Sequence, residues 1–194
     1  KWYLTTVAKL LHTDLDFASW EQYIETNKEA KRAVLRLDAA TSEVSLAYMT
    51  GDFETAIRKA TEILSQDGLQ VQYRNVLQSY LTRSVVLSQP ELSREELGEM
   101  IGELTITDPT LAEKTKKMSV ALYDLTIAHE SNDYFETLTN EYKYPQLEII
   151  YYKAVNAAIK GDTNRAHELL SQLDGEDERL YVVRMGKELL ERTV

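Results

Sequence analysis

The sequence predicts an all-α protein made of stacked antiparallel helical hairpins, and three observations support this. Apolar residues recur with a period close to 3.6 almost throughout, and no stretch alternates with period two for long enough to form a strand. The 194 residues include only 7 Gly and 3 Pro, so sharp corners are few and regular elements are long. Helix start and stop signals recur at short intervals, which divides the chain into roughly ten helices joined by short turns.

Capping residues mark the predicted helix boundaries. Gly51-Asp52 and Gly161-Asp162 each combine a glycine that can close one helix in the left-handed conformation with an aspartate that can cap the next. Asn132-Asp133 is a close variant, because Asn also tolerates the left-handed region. Further boundaries are predicted at the capping box Ser93-Arg94-Glu95-Glu96, at Asp108-Pro109, at Tyr144-Pro145 and at Asp174-Gly175.

Some helices carry two apolar faces. In the helix predicted from about Leu147 to Lys160, two separate apolar stripes run along opposite sides. A helix of this kind must contact neighbours on both sides, as a stacked array provides. The two stripes are Leu147, Ile150, Tyr151, Ala154 and Ala158 on one side, and Ile149, Tyr152, Val155 and Ile159 on the other.

The residues around Gly51 resemble a known family. In Ser45–Leu64, a Gly-Asp-Phe turn at 51–53 is followed by the small Ala56 and the aliphatic Ile57. This pattern is similar to the helix–turn–helix core of tetratricopeptide repeats, in which a small residue lets the two helices approach closely. The resemblance implies a right-handed stack of hairpins. The first helix of each hairpin lines a concave groove, which binds a peptide or helix of a partner.

Two later segments match the pattern more loosely. Leu147–Leu173 keeps the Gly161-Asp162 turn, but Thr163 replaces the aromatic residue. A third turn at Asn132-Asp133 is followed by Tyr134, at a spacing shorter than the family's period of about 34 residues. The sequence therefore predicts a divergent, irregular array, and a compact helical bundle is the alternative.

Composition restricts the chemistry. The 32 acidic residues outnumber the 22 basic ones, and the formal net charge of -10 disfavours a nucleic-acid partner. The chain has no cysteine, which excludes disulfides, thiolate zinc sites and cysteine nucleophiles. The three histidines lie far apart, and no phosphate-binding loop or Gly-x-Ser-x-Gly motif is present. We therefore expect no enzyme activity, no cofactor and no metal site.

Tyrosine is unusually frequent, with 12 residues against 3 Phe and 2 Trp. Tyr combines a large contact area with a hydrogen-bonding hydroxyl and is enriched at interfaces. Many tyrosines fall on first helices of hairpins, which the resemblance places at the groove. The alternative is that most of them pack between helices with the hydroxyl at the rim. The predicted partner-binding residues are Tyr48, Met49, Tyr73, Tyr80, Glu148, Tyr151, Val155 and Ile159.

These observations predict a non-catalytic protein–protein interaction module, a scaffold or adaptor that binds a peptide or helix of another protein in a tyrosine-lined groove. Two alternatives stay open. One is a sensor domain for a small peptide or ligand, and the other is an extracytoplasmic helical domain of a membrane-anchored assembly. An enzyme would need polar side chains that converge in a cleft.

The start of the chain bears on its context. Because the sequence begins at Lys1 and not at methionine, we expect a single helical-repeat domain, residues 1–194, excised from a longer protein. Lys1-Trp2-Tyr3-Leu4 has the aromatic and basic character found where a chain leaves a membrane, although packing of the first helix is the preferred interpretation. Membrane contact is expected only through a segment before Lys1. The cytoplasm is favoured over the outer face of a membrane.

Overall fold

The computed structural model describes residues 13–193, and it confirms the all-α class. This part of the chain contains nine α-helices and no β-strand. A π-helical turn covers Asp124–Ala128, and 3-10 turns cover Phe135–Thr137 and Ser171–Leu173. The helices are α1 (Phe17–Asn27), α2 (Ala33–Thr50), α3 (Phe53–Leu64), α4 (Val71–Ser88), α5 (Arg94–Gly102), α6 (Pro109–Tyr123), α7 (Lys143–Ile159), α8 (Thr163–Leu170) and α9 (Tyr181–Thr193).

The capping geometry confirms most of the predicted helix boundaries. α2 ends at Gly51 in the left-handed conformation, and Asp52 caps α3 by accepting a hydrogen bond from Thr55 N at 3.1 Å. Gly161 and Asp162 repeat this arrangement between α7 and α8. Two further confirmed boundaries are the Ser93 capping box before α5 and Asp108-Pro109 before α6.

The predicted left-handed turn at Asn132-Asp133 is wrong. The preceding helix ends earlier, where the π-helical turn closes at His129 with φ 53°. Asn132 does not adopt a positive φ, and its side chain accepts a hydrogen bond from Tyr134 N at 2.9 Å. Only the 3-10 turn Phe135–Thr137 follows. Asn132 therefore shapes a loop and does not end a helix.

Helix α7 lies within the packed stack. It contacts α8, α9 and the short turns at 124–128 and 135–137. Both predicted apolar stripes contribute buried residues, so the helix is enclosed on two sides as expected. The buried side chains are Tyr144, Leu147, Glu148, Ile149, Ile150, Tyr151, Tyr152, Ala154, Asn156 and Ala157. This enclosure carries the carboxyl group of Glu148 into the interior.

Helices distant in sequence also meet, since α9 contacts α2 as well as α7 and α8. Tyr181 of α9 packs edge-on against Phe53, with ring centroids 5.0 Å apart. Arg184 Nη2 donates a hydrogen bond to the Thr50 carbonyl oxygen at 2.7 Å. In a strictly linear array each hairpin contacts only its neighbours. The C-terminal helix instead packs against the Gly51 hairpin.

Within residues 13–193, no helix combines the length and the apolar content needed to cross a lipid bilayer. The expectation for Lys1-Trp2-Tyr3-Leu4 lies outside the described residues.

Candidate functional site

A small cleft opens between α4, α6 and α7, and we call it the Arg83 cleft. Its volume is about 160 Å³, and the loop 138–140 covers part of it. The cleft is lined by Ser79, Tyr80, Arg83, Leu111, Lys114, Thr115, Met118, Leu138, Thr139, Asn140, Tyr144, Pro145, Glu148 and Ile149.

Arg83 is a largely buried cation on α4, with 12% of its side chain exposed. Its Nε donates a hydrogen bond to the Ser79 carbonyl oxygen, one turn earlier, at 3.2 Å. The guanidinium carbon lies 4.6 Å from the Tyr48 ring centroid and 4.9 Å from that of Tyr80, so both ring faces stabilise the charge. Burial lowers the pKa of Arg83, but Tyr48 and Glu148 outweigh this effect and raise the pKa above its ordinary value. The group therefore stays charged.

The guanidinium of Arg83 has few hydrogen-bond acceptors. Nη1 lies 3.5 Å from the Tyr48 hydroxyl and 3.6 Å from Met118 Sδ, and both contacts are weak at these distances. Within residues 13–193, Nη2 makes no hydrogen bond. Because a guanidinium carries five N–H donors, Arg83 retains unused donor capacity where it lines the cleft.

Glu148 is the buried anion beside Arg83, with 6% of its side chain exposed. Its Oε1 accepts a hydrogen bond from the Tyr48 hydroxyl at 2.5 Å. Its Oε2 lies 3.8 Å from Arg83 Nη1, close enough for an ion pair but too far for a hydrogen bond. No hydrogen-bond donor reaches Oε2 from the described part of the chain. Oε2 therefore has acceptor capacity left where Glu148 lines the cleft.

The tyrosine hydroxyls around the pair are neutral. Burial raises the pKa of Tyr48 well above its ordinary value, and the charge of Glu148 raises it further. Tyr144 has its pKa raised well above the ordinary value for the same two reasons. Burial also raises the pKa of Tyr80, whose hydroxyl shares a 2.7 Å hydrogen bond with Ser45. These groups therefore serve as neutral hydrogen-bonding groups and not as bases.

The walls of the cleft are held by contacts between neighbouring elements. Thr115 Oγ1 donates a hydrogen bond to Ser79 Oγ at 3.1 Å, which joins α6 to α4. Asn140 N donates to Gln146 Oε1 at 2.9 Å and so fixes the loop on the start of α7. Lys114 is exposed at the mouth and makes no ion pair within residues 13–193. The mouth therefore carries a solvated positive charge.

A second buried carboxylate, Asp124, is fully paired. Arg94 Nη2 donates to Oδ1 at 2.8 Å, and Asn132 Nδ2 donates to Oδ2 at 2.7 Å. Arg94 also pairs with Glu130 at 3.0 Å, so the network ties α5 to the end of α6. No group of three or more His, Asp or Glu in the described residues is arranged to hold a metal ion. Unlike Asp124, Glu148 keeps an oxygen without a hydrogen bond from the described residues.

Three of the eight predicted binding residues, Tyr48, Tyr80 and Glu148, meet around Arg83. The other five lie elsewhere: Met49 in the core, Tyr73 donating its hydroxyl to Asp38, Tyr151 edge-on against Tyr152, and Val155 and Ile159 half-buried against the core. Six of the eight are buried, all except Val155 and Ile159, because the helices that carry them contact neighbours on both sides. Of these six, Tyr80 and Glu148 line the Arg83 cleft, whereas a partner reaches the other four only if helices move. Their role in binding stays a prediction.

Sequence reasoning missed Arg83, which organises the cleft. A signal was present in α4, where polar residues interrupt the apolar stripe. Ser79, Thr82 and Ser84 are all buried, so the helix carries a polar run into the interior next to Arg83. A run of small hydroxyl residues beside an Arg within a buried helix therefore indicates an internal polar site. The sequence does not show which helix supplies the negative charge beside Arg83, because that depends on how the helices pack.

Comparisons with known proteins gave no match. No protein-family model, no curated protein and no solved structure matches the chain. The resemblance of Ser45–Leu64 to a tetratricopeptide repeat therefore stays a prediction from its residues.

Proposed function

We propose that the chain is a non-catalytic protein-interaction module, a scaffold or adaptor that seats a short segment of a partner protein in the Arg83 cleft. The Arg83–Glu148 pair supports this proposal most directly, since among the described residues Oε2 of Glu148 accepts no hydrogen bond and Nη1 of Arg83 donates only two weak ones. Both side chains line the cleft, where these atoms face space that a ligand can enter. A bound group that accepts from Nη1 and donates to Oε2 would take the place of solvent there.

The size of the cleft favours a side chain of a partner over a cofactor. Pockets for drug-sized ligands have volumes of about 300 to 1,000 Å³. The Arg83 cleft, at about 160 Å³, is roughly half of the lower limit. A single side chain presented by a peptide fits this space, and the rest of the peptide would lie across the mouth. A sensor of a larger ligand is less well supported by this volume.

The charge of the chain also favours a protein partner. A net charge of -10 repels nucleic-acid phosphates. The floor of the cleft is formed by the buried charged side chains of Arg83 and Glu148, and its walls include the apolar residues Met118 and Ile149. Interfaces commonly concentrate binding energy in a small, largely desolvated pocket surrounded by near-neutral contacts. The Arg83 cleft has this composition.

Site-specific photo-crosslinking tests the proposal. A benzophenone amino acid at Thr139, which lines the mouth, should capture a discrete partner in the native host. The same amino acid at Glu99, on the exposed surface of α5, is the matched control and should capture none. Leu111→Trp adds ring atoms at the wall of the cleft and should abolish the Thr139 adduct.

Two results would contradict the proposal. One is equal capture at positions 139 and 99. The other is a Thr139 adduct that persists in a folded Leu111→Trp variant.

A further inference from the structure

We infer that the group seated in the Arg83 cleft is a primary carboxamide, the side chain of a Gln or Asn residue of the partner. The inference rests on the proposed function and names the chemistry that the cleft would recognise. It is carried by Arg83 Nη1 and Glu148 Oε2, which lie 3.8 Å apart without a hydrogen bond between them. The two contacts that Nη1 makes, with the Tyr48 hydroxyl and Met118 Sδ, are weak enough for a better acceptor to replace them.

The spacing of these two atoms fits a carboxamide. The oxygen and nitrogen of one amide group lie about 2.3 Å apart, given its bond lengths. With hydrogen bonds of about 2.9 Å, the amide oxygen can accept from Nη1 while the amide nitrogen donates to Oε2. The spacing of 3.8 Å is about 1.5 Å wider than the amide edge, so the two bonds splay outward by about 15° each, which hydrogen bonds tolerate. One planar group satisfies both sides of the pair.

The same geometry excludes an ordinary backbone peptide group. In a trans peptide the C=O and the N–H point in opposite directions, so one edge does not present both. A primary carboxamide carries its C=O and one N–H on the same edge. The cleft therefore distinguishes the side chain of Gln or Asn from the backbone that carries it.

Charge distinguishes a carboxamide from the charged side chains of Glu and Lys. A Glu side chain has the same shape, but it would place an anionic oxygen against Oε2 of Glu148. A Lys side chain would place an ammonium beside the guanidinium of Arg83. Since Arg83 and Glu148 balance each other, a neutral dipolar group adds two hydrogen bonds without leaving an uncompensated charge.

The volume agrees with a group of this size. A cleft of about 160 Å³ is large enough to hold several water molecules. A Gln side chain has five heavy atoms. Its methylene groups would lie against the apolar walls at Met118 and Ile149, and its amide would reach the floor.

A peptide-selection experiment with the full chain tests the inference. The protein would be used to select binders from a displayed random-peptide library. In each enriched sequence, an alanine scan would identify the position whose side chain contributes most to binding, which we call the anchor position. This position would then be set in turn to Gln, Asn, Glu, Lys and Met. We expect Gln or Asn to bind at least about tenfold more tightly than Glu, Lys or Met at that position.

A variant of the floor sharpens the test. Glu148→Gln replaces the acceptor at Oε2 by an amide that can turn its N–H groups toward the ligand, so the floor then presents donors from both sides. We expect the preference to move from Gln toward Glu. Glu99→Gln makes the same chemical change on an exposed surface and should leave the preference unchanged.

The outcomes separate this inference from the proposed function. If peptides bind but the anchor prefers Glu, Lys or Met, or if a folded Glu148→Gln variant keeps the wild-type preference, the carboxamide inference is overturned and the module remains. If no peptide is enriched by the wild type, the proposed function fails with it. Should Glu148→Gln not fold, the Gln, Glu and Met series on the wild type decides alone.

Discussion

The two Gly-Asp turns of the chain have nearly the same backbone but different surroundings. Gly51 and Gly161 have φ of 81° and 78°. Their N–H groups donate to carbonyl oxygens three residues earlier at 3.1 and 3.0 Å. Asp52 and Asp162 each accept a capping hydrogen bond from the backbone at 3.1 Å. Local sequence therefore produces the same turn twice.

The difference lies in what packs against each turn. A Cβ added at Gly51 would lie 2.7 Å from Tyr181 Cδ2 and 3.2 Å from Arg184 Nη2. At Gly161 no atom lies within 4 Å of that position. Gly51 is therefore required both for its conformation and for the approach of α9, whereas Gly161 is required for its conformation alone. A local motif predicts the turn but does not predict which helix packs against it.

The largest effect is expected for Gly51→Ala. The left-handed conformation costs a non-Gly residue about 1 to 2 kcal/mol, and the clash with Tyr181 adds about 1 to 3 kcal/mol. We expect the free energy of unfolding to fall by about 3 kcal/mol in denaturant titrations. A loss no greater than that of Gly161→Ala would show that α9 does not pack here.

A smaller effect is expected for Gly161→Ala. Only the conformational term applies, because nothing surrounds the added methyl group. The free energy of unfolding should fall by about 1 to 2 kcal/mol in the same titration. A loss above about 3 kcal/mol would mean that a contact covers this turn in solution.

The coupling between the turns and α9 can be measured by a double-mutant cycle. Tyr181→Ala removes the ring that packs against Phe53 and Gly51. In that background the cost of Gly51→Ala should shrink by about 1 kcal/mol, whereas the cost of Gly161→Ala should not change. If Tyr181→Ala changed the cost of both glycine substitutions equally, the claim that α9 packs against the Gly51 turn alone would be contradicted.

The smallest difference is expected between the two caps. Asp52→Ala and Asp162→Ala each remove one capping hydrogen bond of the same length, so each should destabilise the protein by about 1 kcal/mol. Thermal unfolding of both variants checks this. A difference above about 1 kcal/mol would mean that the caps are not equivalent.

The fold was predictable wherever the signal is local. The capping oxygens of Ser93, Asp108 and Asp52 act on N–H groups three residues ahead, so the sequence alone locates them. The two buried stripes of α7 were readable for the same reason. The prediction failed at Asn132, because a residue that can end a helix also shapes loops, and the packing of the following segment decides between the two.

The candidate site was less predictable. Tyr48, Tyr80 and Glu148 were named as binding residues, but on the expectation of an open groove. Their meeting depends on α2, α4 and α7 converging, and Tyr48 and Glu148 are 100 positions apart in sequence. No sequence motif marks Arg83, because its surroundings include a tyrosine ring and a carboxylate that come from other helices, those of Tyr48 and Glu148. Such convergence is a property of tertiary packing.

The most direct test of the central claim replaces the charged pair by apolar residues of similar size. In Arg83→Met/Glu148→Leu both charges leave together, and replacing a buried ion pair in this way is often neutral or stabilising. The variant also leaves the buried Tyr48 hydroxyl without its acceptor, which costs about 1 to 3 kcal/mol. If the pair serves recognition, the double variant should therefore keep its free energy of unfolding within about 3 kcal/mol of wild type, and should lose the crosslink from position 139. A folded double variant that is still crosslinked as wild type would contradict the claim.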